Sequence, residues 1–222
     1  MCGRYVNYTP ITKVAKRYFG QQYPLGDTIR QYNVAPSLAV HTISRDANQE
    51  LPRFNLSKWG FKPPSAGEGA PIPINARIES LTRSRYFQDA ARFRRCLVPA
   101  NGWYEWQKTE AGSRPYYITQ PNQEPDETLF FAGIYEYTGG LGTCMAIVTE
   151  PAADRIAPIH DRQPVLIAPE CLEAWLDPAV QDLRELKGRI HRVDPATLDY
   201  WPVSDRVNSP GVNDPDLITP IR

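Results

Sequence analysis

The sequence predicts a β-rich α+β fold, with short strands in a mixed, bifurcated or barrel-like sheet and a few short flanking helices. Three observations carry this. Beyond Pro99 the chain is a succession of short aromatic and β-branched runs separated by turn residues. Proline supplies 22 of 222 residues, well above the usual ~5 %, so long loops should join short elements. Only a few stretches carry helical periodicity with terminal signals at their ends. No composition break reads as a linker and no internal repeat stands out, so residues 1–222 are expected to form one domain, with 205–222 an irregular tail.

Taken in order, ITKVAKRYF follows Thr9-Pro10 and precedes Gly20, which reads as a short helix. Thr9 is placed to cap it, Pro10 suits the first turn, and Gly20 suits the left-handed exit. TIRQYNVAP (28–36) reads as a strand running into a turn, SLAVHTI as the next strand, and LPRFNLSKWGF as another with loose alternation. KPPSAGEGAPIP is a Pro/Gly-rich loop. SLTRSRYFQDAARF (80–93) predicts a helix, with Ser80 or Thr82 capping and Tyr86, Phe87, Ala90 and Ala91 on its apolar side. The β runs are GWYEWQK, RPYYIT, TLFFAGIYEYT, TCMAIVTE and QPVLIA. PECLEAWL predicts a short helix from Pro169 and DLRELKG another; the tail from Trp201 is expected to wrap the surface.

Length and composition exclude several classes. No run of eighteen apolar residues is present to span a bilayer, and the N-terminus shows no apolar signal region, so a cytoplasmic protein without membrane partners is expected. The four cysteines, Cys2, Cys96, Cys144 and Cys171, form no CxxC, and the three histidines have no ligand spacing. No metal and no cofactor are expected. Net charge is zero, but residues 1–119 carry 17 Lys/Arg against 8 Asp/Glu and the remainder carries the reverse. Arg77, Arg83, Arg85, Arg92, Arg94 and Arg95 crowd one segment. Such a cluster suits phosphates; the plainer reading pairs these arginines with the acidic half.

Four residues stand out chemically, each with a plainer alternative. Removal of Met1 would place an amine and a thiol together on Cys2, with ordinary pKa values of about 8 and 8.5. Such an aminothiol condenses with an aldehyde to an imine, which the thiol then closes to a five-membered thiazolidine. The alternative is an ordinary residue on a frayed end. His160, in APIHDRQPVLIA, has the setting of a general acid/base or of a structural hydrogen-bonding residue. Glu105, in GWYEWQK, shares a strand face with Trp103, opposite Tyr104 and Trp106. It is either desolvated, with a raised pKa, or an edge residue in solvent. Asn75, in Asn75-Ala76-Arg77, suits a turn, and Arg77 has Glu79 nearby as a partner.

The ordered set is specific. MCGR, YNVAP (32–36), WG (59–60), INARIES (74–80), Ser84-Arg85, CLVPANGWYEW (96–106), IHDRQPVL (159–166) and WPVS (201–204) together resemble the SRAP family of SOS-response-associated peptidases, or abasic-site processing proteins. The resemblance implies the SRAP fold and a monomer that recognises abasic sites in single-stranded DNA and attaches to them covalently. It makes Cys2 the nucleophile, Asn75 a residue orienting the N-terminal group and the sugar, Glu105 the proton shuttle and His160 a partner of the opened sugar. Arg4, Arg77 and Arg85 become phosphate ligands, with Pro36 and Trp106 lining the DNA path. It further implies peptidase-like removal of the residue before Cys2, by the protein itself or by methionine aminopeptidase, and an AP-lyase side reaction from a stalled imine. On DNA, the protein would associate with the nucleoid. Where the family often carries a tryptophan wedge after WG, this chain has Phe61, Pro63 and Pro64. Two rivals remain: an N-terminal-nucleophile or cysteine hydrolase using Cys2 and His160, and a non-catalytic single-strand binder.

Overall fold

The computed structural model describes residues 2–23, 30–110, 112–121, 124, 126–140 and 142–221. Met1 and the Thr28–Ile29 start of the strand expected over 28–36 lie outside them. Strand β1 (Arg4–Asn7) leads into helix α1 (Ile11–Phe19), then β2 (Gln31–Val34), β3 (Ala39–Ser44), β4 (Arg53–Trp59) and β5 (Asn75–Arg77). Helix α2 (Gln88–Phe93) precedes β6 (Arg95–Ala100), β7 (Gly102–Thr109), β8 (Gly112–Thr119), β9 (Leu129–Tyr137), β10 (Thr143–Pro151) and β11 (Arg162–Pro164). Helices α3 (Leu172–Leu176) and α4 (Leu183–Arg189) precede β12 (Asp199–Pro202).

The strands make two sheets. One has the order β12-β8-β7-β1-β2. The other runs β11-β10-β4-β3-β6-β9, and β9 pairs back onto β10, so five of its strands close a barrel, with β5 also carried by β10. Closure removes edges. It requires close approach at Gly133, where a Cβ would come 2.8 Å from the Cys96 sulfur of the paired strand. Residue parity divides the core. Leu97, Ala132, Ile134, Ala146 and Val148 join α1, α2, α3 and α4 in one cluster. Cys96, Val98, Phe131, Met145 and Ile147 face the other way, towards Cys2, Tyr5, Trp59 and Trp103. Successive residues of a strand point to opposite faces, so both faces here are covered. Among the described residues, no helix is long and apolar enough to cross a membrane.

Several local expectations are corrected. Helix α1 ends at Gly20 with φ 62°, as its sequence suggests, but Thr9 does not cap it. The Thr9 side chain is instead drawn into the core, where its hydroxyl accepts from Asn101 Nδ2 at 2.8 Å. The expected 80–93 helix forms only over Gln88–Phe93, without a Ser80 or Thr82 cap. Ser84 carries the chain through turns, its hydroxyl accepting from the Tyr86 N–H at 3.3 Å. Tyr86 and Phe87 dock on Phe61, with centroids 6.0 and 5.4 Å apart, and this packing overrides helical propensity. Phe61 is thus core, not a wedge. The tail is not a surface wrapping alone: β12 pairs with β8, and Val203, Val207 and Leu217 are buried.

Candidate functional site

Cys2 is fully buried, at 0 % exposure, instead of fraying. It belongs to the cluster holding Trp59, Trp103 and Ile147, and its thiol reaches toward the Arg4 carbonyl at 4.0 Å. Two neighbouring pairings hold this end of the chain. β1 runs antiparallel to β7 with Arg4 opposite Tyr104, so one further step brings Glu105 beside the start of β1. β5 is carried in parallel by β10, with Asn75 opposite Ile147, and Asn75 Nδ2 donates to the Cys2 carbonyl at 2.9 Å. Asn75 Oδ1 is buried and has no hydrogen-bond partner among the described residues.

Glu105 is 1 % exposed, so the solvent-face reading fails. Alternation acts as expected: Trp103 packs in the Cys2 cluster, while Tyr104 and Trp106 pack on the other side with the tail. Burial pushes the Glu105 carboxyl up to about 7. Burial, and then the Glu105 charge, push the Cys2 thiol well above its ordinary value. His160 Nε2 stands 3.8 Å from Glu105 Oε2. Its Nδ1 accepts from the Arg162 backbone N–H at 3.0 Å, which assigns the proton of the neutral ring to Nε2, facing the carboxylate. Asp161 Oδ1 also lies 3.0 Å from Nδ1, but it makes no hydrogen bond to this tautomer, and its side chain is exposed and screened by solvent. Burial lowers the His160 pKa, so the ring is neutral at neutral pH.

Residues from four distant segments, Cys2, Asn75, Glu105 and His160, therefore meet. Beneath them, Arg162 grips Glu79 through two bonds of 2.5 and 3.0 Å and donates to the Thr149 carbonyl at 2.8 Å. Glu79 thus pairs with Arg162 and not Arg77, because its bidentate match outweighs sequence proximity. Glu79 and Arg162 lie inside the INARIES and IHDRQPVL motifs, but nothing local to either motif shows that the two pair.

The other candidates are spread around this centre. Arg4 is half-buried, its Nη1 donating to the Val207 carbonyl at 3.2 Å. Trp106 is half-buried, its Nε1 donating to Asn208 Oδ1 at 2.8 Å. Pro36 is half-buried at the turn after β2, whereas Arg77 and Arg85 are exposed. The arginine-rich segment divides. Arg94 pairs with Glu136 at 2.7 Å, and Arg95 is buried among the carbonyls of Trp175, Ala91, Arg92 and Asp177. Only part of the cluster is therefore presented outward. Among the described residues, no group of three or more His, Cys, Asp or Glu is placed to hold a metal.

Chemically, the centre offers a buried thiol whose backbone is pinned, a carboxyl titrating near neutrality and a neutral imidazole directed at it. Comparison with known proteins places the chain as a whole. The chain is 32 % identical over 228 residues to abasic site processing protein YoqW of Bacillus subtilis, covering 98 % of this chain and 99 % of that one. It is 30 % identical over 201 residues to abasic site processing protein YedK of Escherichia coli, covering 88 % and 86 %. A solved structure of a Bacteroides thetaiotaomicron protein superposes over 100 % of both chains with a TM-score of 0.81 at 24 % identity, a likeness of fold. The family model for SOS response associated peptidase matches residues 1–210. The architecture and the match along nearly the whole sequence lead to one conclusion: this chain belongs to the SOS response associated peptidase (SRAP) family.

Proposed function

We propose that the protein is an abasic-site sensor that captures the ring-opened sugar in single-stranded DNA through Cys2, shielding the lesion during the response to DNA damage. The names of its relatives support the substrate. The observation that carries the chemistry is the buried Cys2, pinned through its carbonyl by Asn75 at 2.9 Å, with Glu105 and His160 paired beside it. Once Met1 is removed, the Cys2 amine attacks the C1′ aldehyde and releases water, giving an imine. The thiol sulfur then bonds to the same carbon, and its proton passes to the nitrogen as the thiazolidine closes. A buried thiol held above its ordinary pKa needs a base for that step. Glu105, titrating near 7, is matched to accept and return the proton. His160, with its proton on Nε2, serves as donor to the sugar oxygen as the ring opens. Arg4, Arg77 and Arg85 bind phosphates, and Pro36 and Trp106 line the strand.

Incubating processed protein with abasic single-stranded DNA should give an adduct that survives denaturation, whereas Cys2→Ala and a form retaining Met1 should give no thiazolidine. An unchanged thiazolidine adduct in either variant would sink the mechanism. The family description favours a second activity at the same centre, hydrolytic removal of Met1. That activity predicts cleavage without any aldehyde, loss of Met1 in the absence of an aminopeptidase, and Met1 retention in Cys2→Ala under those conditions. An imine that fails to close predicts strand cleavage by β-elimination, as a lyase side reaction.

A further inference from the structure

The C-terminal segment runs back over the sheet that carries Cys2's strand. Val203, Val207 and Leu217 pack against Val6, Tyr104 and Tyr117. Polar locks fasten it as well. Asn33, on β2 and 2 % exposed, shares the two hydrogens of its Nδ2 among the carbonyls of Val207, Ser209 and Val212, 3.2, 3.0 and 3.0 Å away. Asn213 accepts from the Tyr32 N–H at 2.6 Å and donates to the Arg30 carbonyl at 3.0 Å. A buried amide gathering three carbonyls fixes the course of the 3₁₀ turn at Asp205–Asn208.

That turn holds two side chains from elsewhere. The Val207 carbonyl, already bound by Asn33, also accepts from Arg4 Nη1. The next residue, Asn208, accepts from the Trp106 indole N–H. Arg4 comes from β1 and Trp106 from β7, adjacent strands whose side chains would otherwise sample several rotamers. A guanidinium or an indole already held in one orientation loses less conformational entropy when a phosphate or a base arrives. We propose that residues 203–221 form a strap that positions the DNA-contacting side chains, with Asn33 as its lock and Asn208 as the residue that orients Trp106. This rests on the reading of Arg4 and Trp106 given above.

The test uses full-length protein whose mass shows loss of Met1. For Asn208→Ala, the abasic-strand concentration giving half-maximal adduct rate should rise about 3- to 10-fold, the loss of one oriented hydrogen bond. The rate at saturation should stay within about twofold. Asn33→Ala should do the same, and should flatten the dependence of log affinity on log salt by about 0.7, the loss of one phosphate contact to a single strand. Reaction of Cys2 with glycolaldehyde, which carries no phosphate, should not change. A structural effect elsewhere would not respect one further comparison. Trp106→Phe keeps an aromatic ring and removes the indole N–H, so adding Asn208→Ala to it should cost less than about twofold more. Additive losses in that cycle, or unchanged half-saturation in Asn208→Ala, overturn the proposal. If Asn33→Ala does not fold, the cycle alone decides. Affinity for an intact single strand repeats the comparison without adduct chemistry. Wild-type protein that forms no adduct therefore defeats the functional reading while this test still stands.

Discussion

Replacing Glu105 with glutamine should change how stability depends on pH, and the structure sets the size of the change. Burial raises this carboxyl from an ordinary 4.5 to about 7 in the folded chain. A carboxyl with a raised folded-state pKa keeps its proton in the native state while the unfolded chain gives it up. Its contribution to stability is therefore complete below about pH 4.5 and is lost as pH rises through about 7. At about 1.4 kcal/mol per pH unit, that interval corresponds to about 3 kcal/mol. This is a large share of the ~5–15 kcal/mol that holds a typical domain together. Glutamine is neutral at every pH and has no such loss. Urea denaturation of wild type and Glu105→Gln at about pH 5 and about pH 8 should show the variant gaining relative stability with pH, by up to about 3 kcal/mol. Adduct formation by the same variant should fall by about 100-fold or more, as for the loss of a general acid/base. Stability difference curves that stay flat to within about 0.5 kcal/mol across that range would refute the claim that Glu105 is desolvated by burial.

Gly102 opens β7, and a Cβ there would meet the Ile118 carbonyl at 2.5 Å and the Tyr117 ring at 2.6 Å. Gly102→Ala should destabilise by about 1–3 kcal/mol, read as a lower urea midpoint with an unchanged slope. It should also slow adduct formation, because the strand carrying Glu105 shifts. Arg77→Glu and Arg85→Glu change exposed residues, so both should leave the urea midpoint within about 0.5 kcal/mol. Each should weaken single-strand binding and flatten its salt dependence by at least about 0.7 per phosphate lost, seen by titration at several salt concentrations. Retained affinity would remove that arginine from the DNA surface.

Much of the strand content was legible because alternation and turn residues are local signals. GWYEWQK is the clearest instance. Its parity placed Trp103 with Glu105 and Tyr104 with Trp106, and the two pairs do face different clusters. The 80–93 stretch shows the limit of local reading. Its helical pattern is genuine, but docking of Tyr86 and Phe87 on Phe61 decides where the helix begins. Thr9 likewise has a capping residue's chemistry, and Asn101, more than ninety positions away, claims its hydroxyl.

For the site, the order of motifs from MCGR to WPVS identified the family and singled out Cys2, Asn75, Glu105 and His160. The sequence alone also determined that the reacting amine and thiol can share one residue, since that is a matter of covalent structure. The environment of those groups was left open. Whether Cys2 frays or is buried, and whether Glu105 meets water or the protein interior, depend on pairings between β1 and β7 and between β5 and β10. The Arg162–Glu79 grip and the tail's hold on Arg4 and Trp106 likewise appear only in the folded chain, while the His160 tautomer is set locally by the Arg162 backbone N–H. That grip and that hold join residues far apart in the chain, and desolvation and hydrogen-bond geometry exist only once those segments have met. Composition and motif order can name the reactive groups, but only the packed fold sets their pKa values and orientations.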